Sequence, residues 1–238
     1  MIFPNELISK LHAYFGDDME LPLAFWRSDE PIAETEKIGG CFFKGLKEAR
    51  DGKPLSLSAD NIGCGGGKLY LGFTEMPEHV PGFVSLKERY KRTPDDVKFF
   101  VEDMAVQRNP YRFFNFCRID KISSFEGIEG LLFFAVPDVL SGLCGWAFFD
   151  NNRRDAVQTI FGSGCSSVIT TAINENTRGG QSCFLGLFDP SVRPYVNADE
   201  LGFSIPASRL ESMAESISDC FLNGSFAWAK VKERIEGR

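Results

Sequence analysis

Histidine is nearly missing from this chain, with 2 residues among 238. That scarcity argues against His-dependent triads and His-rich metal sites. C-x-x-C pairs are absent too, so a zinc ribbon, a thioredoxin-type centre and a ferredoxin-type run all lack their spacing. No Walker motif, no Gly-x-Gly-x-x-Gly after a strand, no His-Glu-x-x-His and no Gly-x-Ser-x-Gly occurs, which removes the usual fingerprints of nucleotide binding, zinc proteolysis and serine hydrolysis. No uncharged run approaches the roughly 18 residues of a membrane span. The N-terminus MIFPNELISKLHAYFG lacks the basic start, apolar stretch and small-residue cleavage site of a signal peptide. A cytoplasmic location without a membrane partner is the expectation. Positive charge is also in deficit, 26 bases against 33 acids for a net charge of −7. A phosphate-tracking surface needs the opposite sign, so no nucleic-acid partner is expected.

Apolar residues make up 43% and charged residues 25%, which is a globular composition. Phenylalanine, at 23 copies against 5 tyrosines, predicts a large, dry aromatic core. The N-terminal segment is patterned as an amphipathic helix capped by Asn5 and stopped by Gly16. Leu21 to Trp26 reads as a strand, and a helix follows from Cys41 to about Arg50. Pro54 to Ile62 alternates as a strand, and residues 68 to 84 read as irregular. Thr93-Pro94-Asp95-Asp96 starts a helix with a cap, a proline and two acids. Strands are predicted at Tyr111 to Ile119, Leu131 to Val136, Ser182 to Phe188 and Glu200 to Ile205. Helices are predicted at Asp138 to Phe149, at Asp155 to Phe161 and over Val168 to Ile173. Ser208-x-x-Glu211 has the form of a capping box for the final helix. The sum is α+β, a single domain with a mixed sheet flanked by helices; two loosely repeated halves, about 20–85 and 110–205, are a further reading. The closing Ile235-Glu236-Gly237-Arg238 matches a protease recognition sequence and is given no functional weight.

Seven cysteines are spread over the chain, too dispersed for a disulfide scaffold. Cys64 stands in Gly63-Cys64-Gly65-Gly66-Gly67, and successive N–H groups of such a loop can hold an anion or lower a thiol pKa. The alternative is a tight turn with a small buried side chain. Cys165, in Gly162-Ser163-Gly164-Cys165-Ser166, and Cys41, after Gly39-Gly40, repeat the pattern at expected helix starts. Close helix packing is the plain explanation there. Cys183 precedes Asp189 and Arg193, which either clamp an anion or bind each other across a turn. Cys117, Cys144 and Cys220 read as packing residues. His12, His79 and the run Lys87 to Arg92 read as ordinary surface.

Cys41 with its helix, Cys64-Gly65-Gly66-Gly67 with Leu71-Gly72, Gly164-Cys165, Ser182-Cys183 and Glu200 through Pro206 resemble the domain of unknown function 169 family from about residue 20 to 225. Ser182 stands where that pattern has glycine. The resemblance implies a prokaryotic family without an assigned reaction, and it singles out Cys41, Cys64, Cys165 and Cys183. The leading expectation is binding in a cleft lined by Gly-flanked cysteines. Cys41, Cys64, Cys165 and Cys183 would hold an iron–sulfur cluster or a soft metal. Gly65, Gly66, Gly164, Ser166, Asp189 and Arg193 would instead contact a small anionic ligand. A partner-binding module with structural cysteines and a thiol-dependent enzyme acting on an anionic substrate are the alternatives.

Overall fold

The computed structural model describes residues 2–237. Helix α1 (Pro4–Phe15) leads into β1 (Leu23–Ser28), α2 (Phe43–Arg50), β2 (Leu55–Leu57) and α3 (Gly65–Tyr70). A short α4 (Val80–Gly82) runs on as a π-helical turn, Phe83–Lys87, before α5 (Pro94–Asp103), β3 (Phe113–Arg118) and β4 (Gly130–Ala135). Then come α6 (Pro137–Phe149), β5 (Val157–Thr159), a second π-helical turn Ser166–Thr170 continuing as α7 (Thr171–Thr177), β6 (Cys183–Gly186), β7 (Leu201–Pro206), α8 (Ala207–Ser216) and α9 (Phe226–Glu236). Among the described residues no helix is long and apolar enough to cross a membrane.

The strands form one mixed sheet in the order β2-β3-β1-β4-β7-β6-β5, antiparallel except for the β5–β6 pair. The expected α+β class with helices flanking a mixed sheet is what the chain adopts. Every residue of the central strand β4 is buried, which requires cover on both faces. Strand alternation then divides the core. Leu131, Phe133 and Ala135 enter a core built with α1, α6, α8 and α9. Leu132 and Phe134 enter a second one, built with α2, the π turn at Ser166–Thr170 and α7. The second core carries the aromatic density that the composition predicts. Phe114 and Phe116 lie 5.1 Å apart between ring centroids, as do Phe42 and Phe43, and Phe42 reaches Phe116 at 6.1 Å.

Local signals hold where they are self-contained. Thr93 caps α5 through Asp96 N–H, and the Asp96 carboxylate accepts from Thr93 N–H in return. Gly16 ends α1 at φ +107. Its start differs: Pro4 occupies the first turn and Phe3 precedes it, so Asn5 is inside the helix. Asp155 to Phe161 is not helical, because Val157–Thr159 completes the sheet by parallel pairing with β6. Only Leu55–Leu57 of the expected Pro54 to Ile62 strand pairs, and residues 68–84 hold the end of α3, α4 and the first π turn. Ser208 lies inside α8, which starts at Ala207, and its hydroxyl donates to the Gly180 carbonyl at 2.7 Å. Nor is α8 the last helix, since α9 packs behind it on α6.

Both sheet edges are strands of three residues, β2 and β5. At the β2 edge, Ser56 N–H donates to Thr35 Oγ1 at 3.0 Å, and the N–H groups of Ile32 and Ala33 donate to Ser56 Oγ.

On α6, a Cβ at Gly142 would lie 2.4 Å from Trp228 of α9 and 2.6 Å from Phe15 of α1. Alanine gains about 1 kcal/mol of helix propensity over glycine, so packing and propensity oppose each other at this position. Packing should win, and Gly142→Ala should lower stability by roughly 1–3 kcal/mol in urea unfolding. Adding Trp228→Phe should recover part of the loss. A raised midpoint for Gly142→Ala alone would contradict the α1–α6–α9 contact.

Candidate functional site

Two loops are zipped together first. Ile38 N–H donates to the Asn61 carbonyl at 2.8 Å, and Gly63 N–H donates to the Ile38 carbonyl at 3.0 Å, a parallel bridge outside the main sheet. The Asn61 side chain holds its own turn, accepting from Ser58 N–H and donating to the Ser56 carbonyl, both at 2.8 Å. The approach is close: a Cβ at Gly63 would lie 2.5 Å from the Ile38 oxygen. Cys41 and Cys64, far apart in sequence, are thereby brought to one end of the second core. Cys64 caps α3, its Sγ accepting from Gly67 N–H at 3.4 Å, and the Phe42 ring lies against the bare Gly67.

The helical segment that begins at Gly164 docks on α3. Thr170 Oγ1, in the π turn, donates to the Tyr70 carbonyl at 2.8 Å. Ser163 caps this segment through Ser166 N–H, and its hydroxyl lies 3.3 Å from Cys165 Sγ. Beyond β6, Leu187 sits in the left-handed region at φ +70 although fully buried, with its N–H on Ser167 Oγ. This strained residue turns the chain so that Asp189 enters the same end of the core. Asp189 Oδ1 accepts from Ser191 N–H at 2.9 Å and Oδ2 accepts from Ser191 Oγ at 2.6 Å, with Tyr90 within electrostatic reach of the same side chain.

Above these groups is a cavity of about 410 Å³. Cys64, Gly65, Gly66, Tyr70, Ser163 and Asp189 form its floor, and its roof comes from residues 77–101, chiefly Pro77, Val80, Phe83, Tyr90 and Phe100, with Phe161 at one side. The lining is mostly apolar, with polar groups both on the floor, at Ser163 and Asp189, and on the roof segment, at His79, Glu88 and Lys91, the usual make-up of a small-molecule site.

A family model for domain of unknown function 169 (DUF169), described as an uncharacterised ArCR, matches residues 17–216. The chain belongs to this family. No curated protein and no solved structure matches it.

In this DUF169 chain the four singled-out cysteines do not meet. Cys41, Cys64 and Cys165 share the second core, each within electrostatic reach of the others. Cys183 points to the opposite face of the sheet, fully buried with its Sγ 3.6 Å from Met213 Sδ. Neighbouring strand positions face opposite ways, and it is Phe184 that enters the core of the other three. Among the described residues no group of three His, Cys, Asp or Glu side chains is placed to hold a metal ion. The four-thiolate ligand set is therefore not assembled.

The anion clamp is not formed either. Arg193 directs its guanidinium to the carbonyls of Asn197, Ala198 and Glu200, and it does not reach the Asp189 carboxylate. Gly65, Gly66 and Asp189 line the cavity. Gly164 instead accommodates Val192, and the Ser166 hydroxyl turns back to the Ser163 carbonyl at 2.9 Å. Tyr70, Ser163 and the aromatic roof are contributions the motifs did not reveal. His79, read as ordinary surface, also lines the cavity.

At Cys41 and Cys165, burial outweighs any activation by a helix start. Burial pushes the Cys41 thiol up to about 11, against the lowering effect of Phe43 N–H, and neighbouring Cys64 and Asp189 push the same way as burial. Burial raises Cys165 further still, and Tyr70 likewise. On the far side of the sheet, burial raises Cys144 to about 11. Thiolate is the reactive form, so half-buried Cys41 and Cys144 should label slowly with iodoacetamide at pH 7.5, and faster as pH rises toward 11. Fully buried Cys165 and Cys183 should label only after unfolding. Peptide mass spectrometry after timed labelling checks this, and rapid labelling of Cys165 at pH 7.5 in the folded chain would contradict it.

Proposed function

We propose that this DUF169 protein binds a small organic molecule in the cavity over Cys64 and Asp189. One observation carries the reading: glycines that the fold itself does not require face that cavity. Gly65 and Gly66 open α3, where glycine costs roughly 0.5–1 kcal/mol against alanine. A Cβ at Gly65 would meet nothing within 4 Å, and one at Gly66 only Cys64 Sγ at an ordinary 3.8 Å. Gly67, next in sequence, does have a packing reason, since Phe42 would be 2.8 Å from its Cβ. Bare backbone at Gly65 and Gly66 keeps the floor open, and a mostly apolar lining with a few polar groups favours a ligand with an apolar body and a polar group.

The mutation that tests this fills the cavity without disturbing the core. Gly66→Leu places a good helix former at an unobstructed position, so its urea midpoint should equal or exceed that of the wild type. Binding of a neutral fluorescent probe, 1-N-phenylnaphthylamine, should weaken at least tenfold. Undiminished probe binding by the folded variant would remove the cavity as the ligand site.

A further inference from the structure

We infer that the ligand is an organic cation, with the Asp189 carboxylate as its counter-charge and the surrounding aromatic rings as its walls; this rests on the cavity being the ligand site. The argument begins with how the chain treats its other buried acids. Among the described residues four carboxylate side chains belong to buried residues: Asp138, Glu175, Asp189 and Glu200. Asp138 is paired with Arg234, Glu175 with Arg178 and Glu200 with Arg50. Asp189, 6% exposed, has no such partner among the described residues, and it is the one of the four that lines the cavity.

Hydrogen bonds do not replace the missing cation. Ser191 N–H and Oγ donate to the two carboxylate oxygens. The donors are all neutral, so the negative charge stays uncompensated beside an apolar cavity, where a buried charge is costly unless paired.

Arg193, close in sequence, and Lys91, on the cavity, are engaged elsewhere. Arg193 is fixed on three backbone carbonyls. Lys91, on the cavity wall, holds its Nζ 4.5 Å from the centre of the Phe100 ring. That contact also places a cation on one of the rings of this wall. Glu88 and His79 line the cavity too, so its lining carries two carboxylates, one ammonium and one imidazole. Tyr70, Phe83, Tyr90, Phe100 and Phe161 complete the surroundings, and aromatic faces attract organic cations at short range. An anion here would be repelled by Asp189. A neutral ligand would leave that charge buried and unpaired.

The test uses the full chain, the neutral probe 1-N-phenylnaphthylamine, and three competitors: benzyltrimethylammonium, its uncharged isostere neopentylbenzene, and the smaller benzyl anion phenylacetate. Benzyltrimethylammonium should displace the probe at least tenfold more effectively than neopentylbenzene, and phenylacetate should be weakest. In Asp189→Asn, shown folded by circular dichroism, the cation and the isostere should become equal. Equal displacement by cation and isostere in the wild type overturns the proposal, as does a preference for phenylacetate or a preference for the cation retained in Asp189→Asn. The wild-type comparison stands even where the variant fails to fold. Absence of probe binding to the wild type is a separate result, and it overturns the cavity reading together with the inference built on it.

Discussion

A sheet buried on both faces must allot its side chains to two cores, and everything at the candidate site follows from that allotment. Strand β4 makes it unavoidable, because each of its residues is buried and alternate ones point opposite ways. The side toward α2 and α7 receives Cys41, Cys64 and Cys165, while the side toward α6 and α8 receives Cys183. A single position in β6 therefore separates a thiol that can approach the cavity from one that cannot.

The floor depends on a few hydrogen bonds placed outside the main sheet. The Ile38–Gly63 bridge and the Thr170–Tyr70 bond gather three remote segments at one end of the second core. Strain at Leu187 adds the fourth, since its left-handed turn delivers Asp189 to the same place. None of these contacts is large by area. Their effect is positional, because each fixes where a polar atom meets an otherwise apolar wall.

Legibility in the sequence followed the range of the interactions. The Thr93–Asp96 cap could be read because all its partners lie within one turn. Val157 to Thr159 reads as helix in sequence because it becomes a strand only by pairing with β6, more than twenty residues away. Of the Gly-flanked residues, Cys64, Gly65 and Gly66 line the cavity. The expectation of one four-cysteine set failed because a strand's alternation is visible in sequence while the core behind each face is not. Arg193 illustrates the same limit, since the carbonyls of Asn197, Ala198 and Glu200 claim its guanidinium only once the loop has closed. The roof escaped notice because its aromatic residues, from Phe83 to Phe161, share no local pattern; proximity in the folded chain is all that unites them.

The outer strands have a consequence for the molecule among its neighbours. An open sheet is a template on which foreign strands can grow, and a long flat edge invites that growth. Here each border is three residues long, and at β2 the serine and threonine hydroxyls of Ser56 and Thr35 already engage nearby backbone N–H groups. A strongly apolar, phenylalanine-rich sheet is thus self-limiting: it ends where little ladder is left to extend, which lets so greasy an interior coexist with a crowded protein solution.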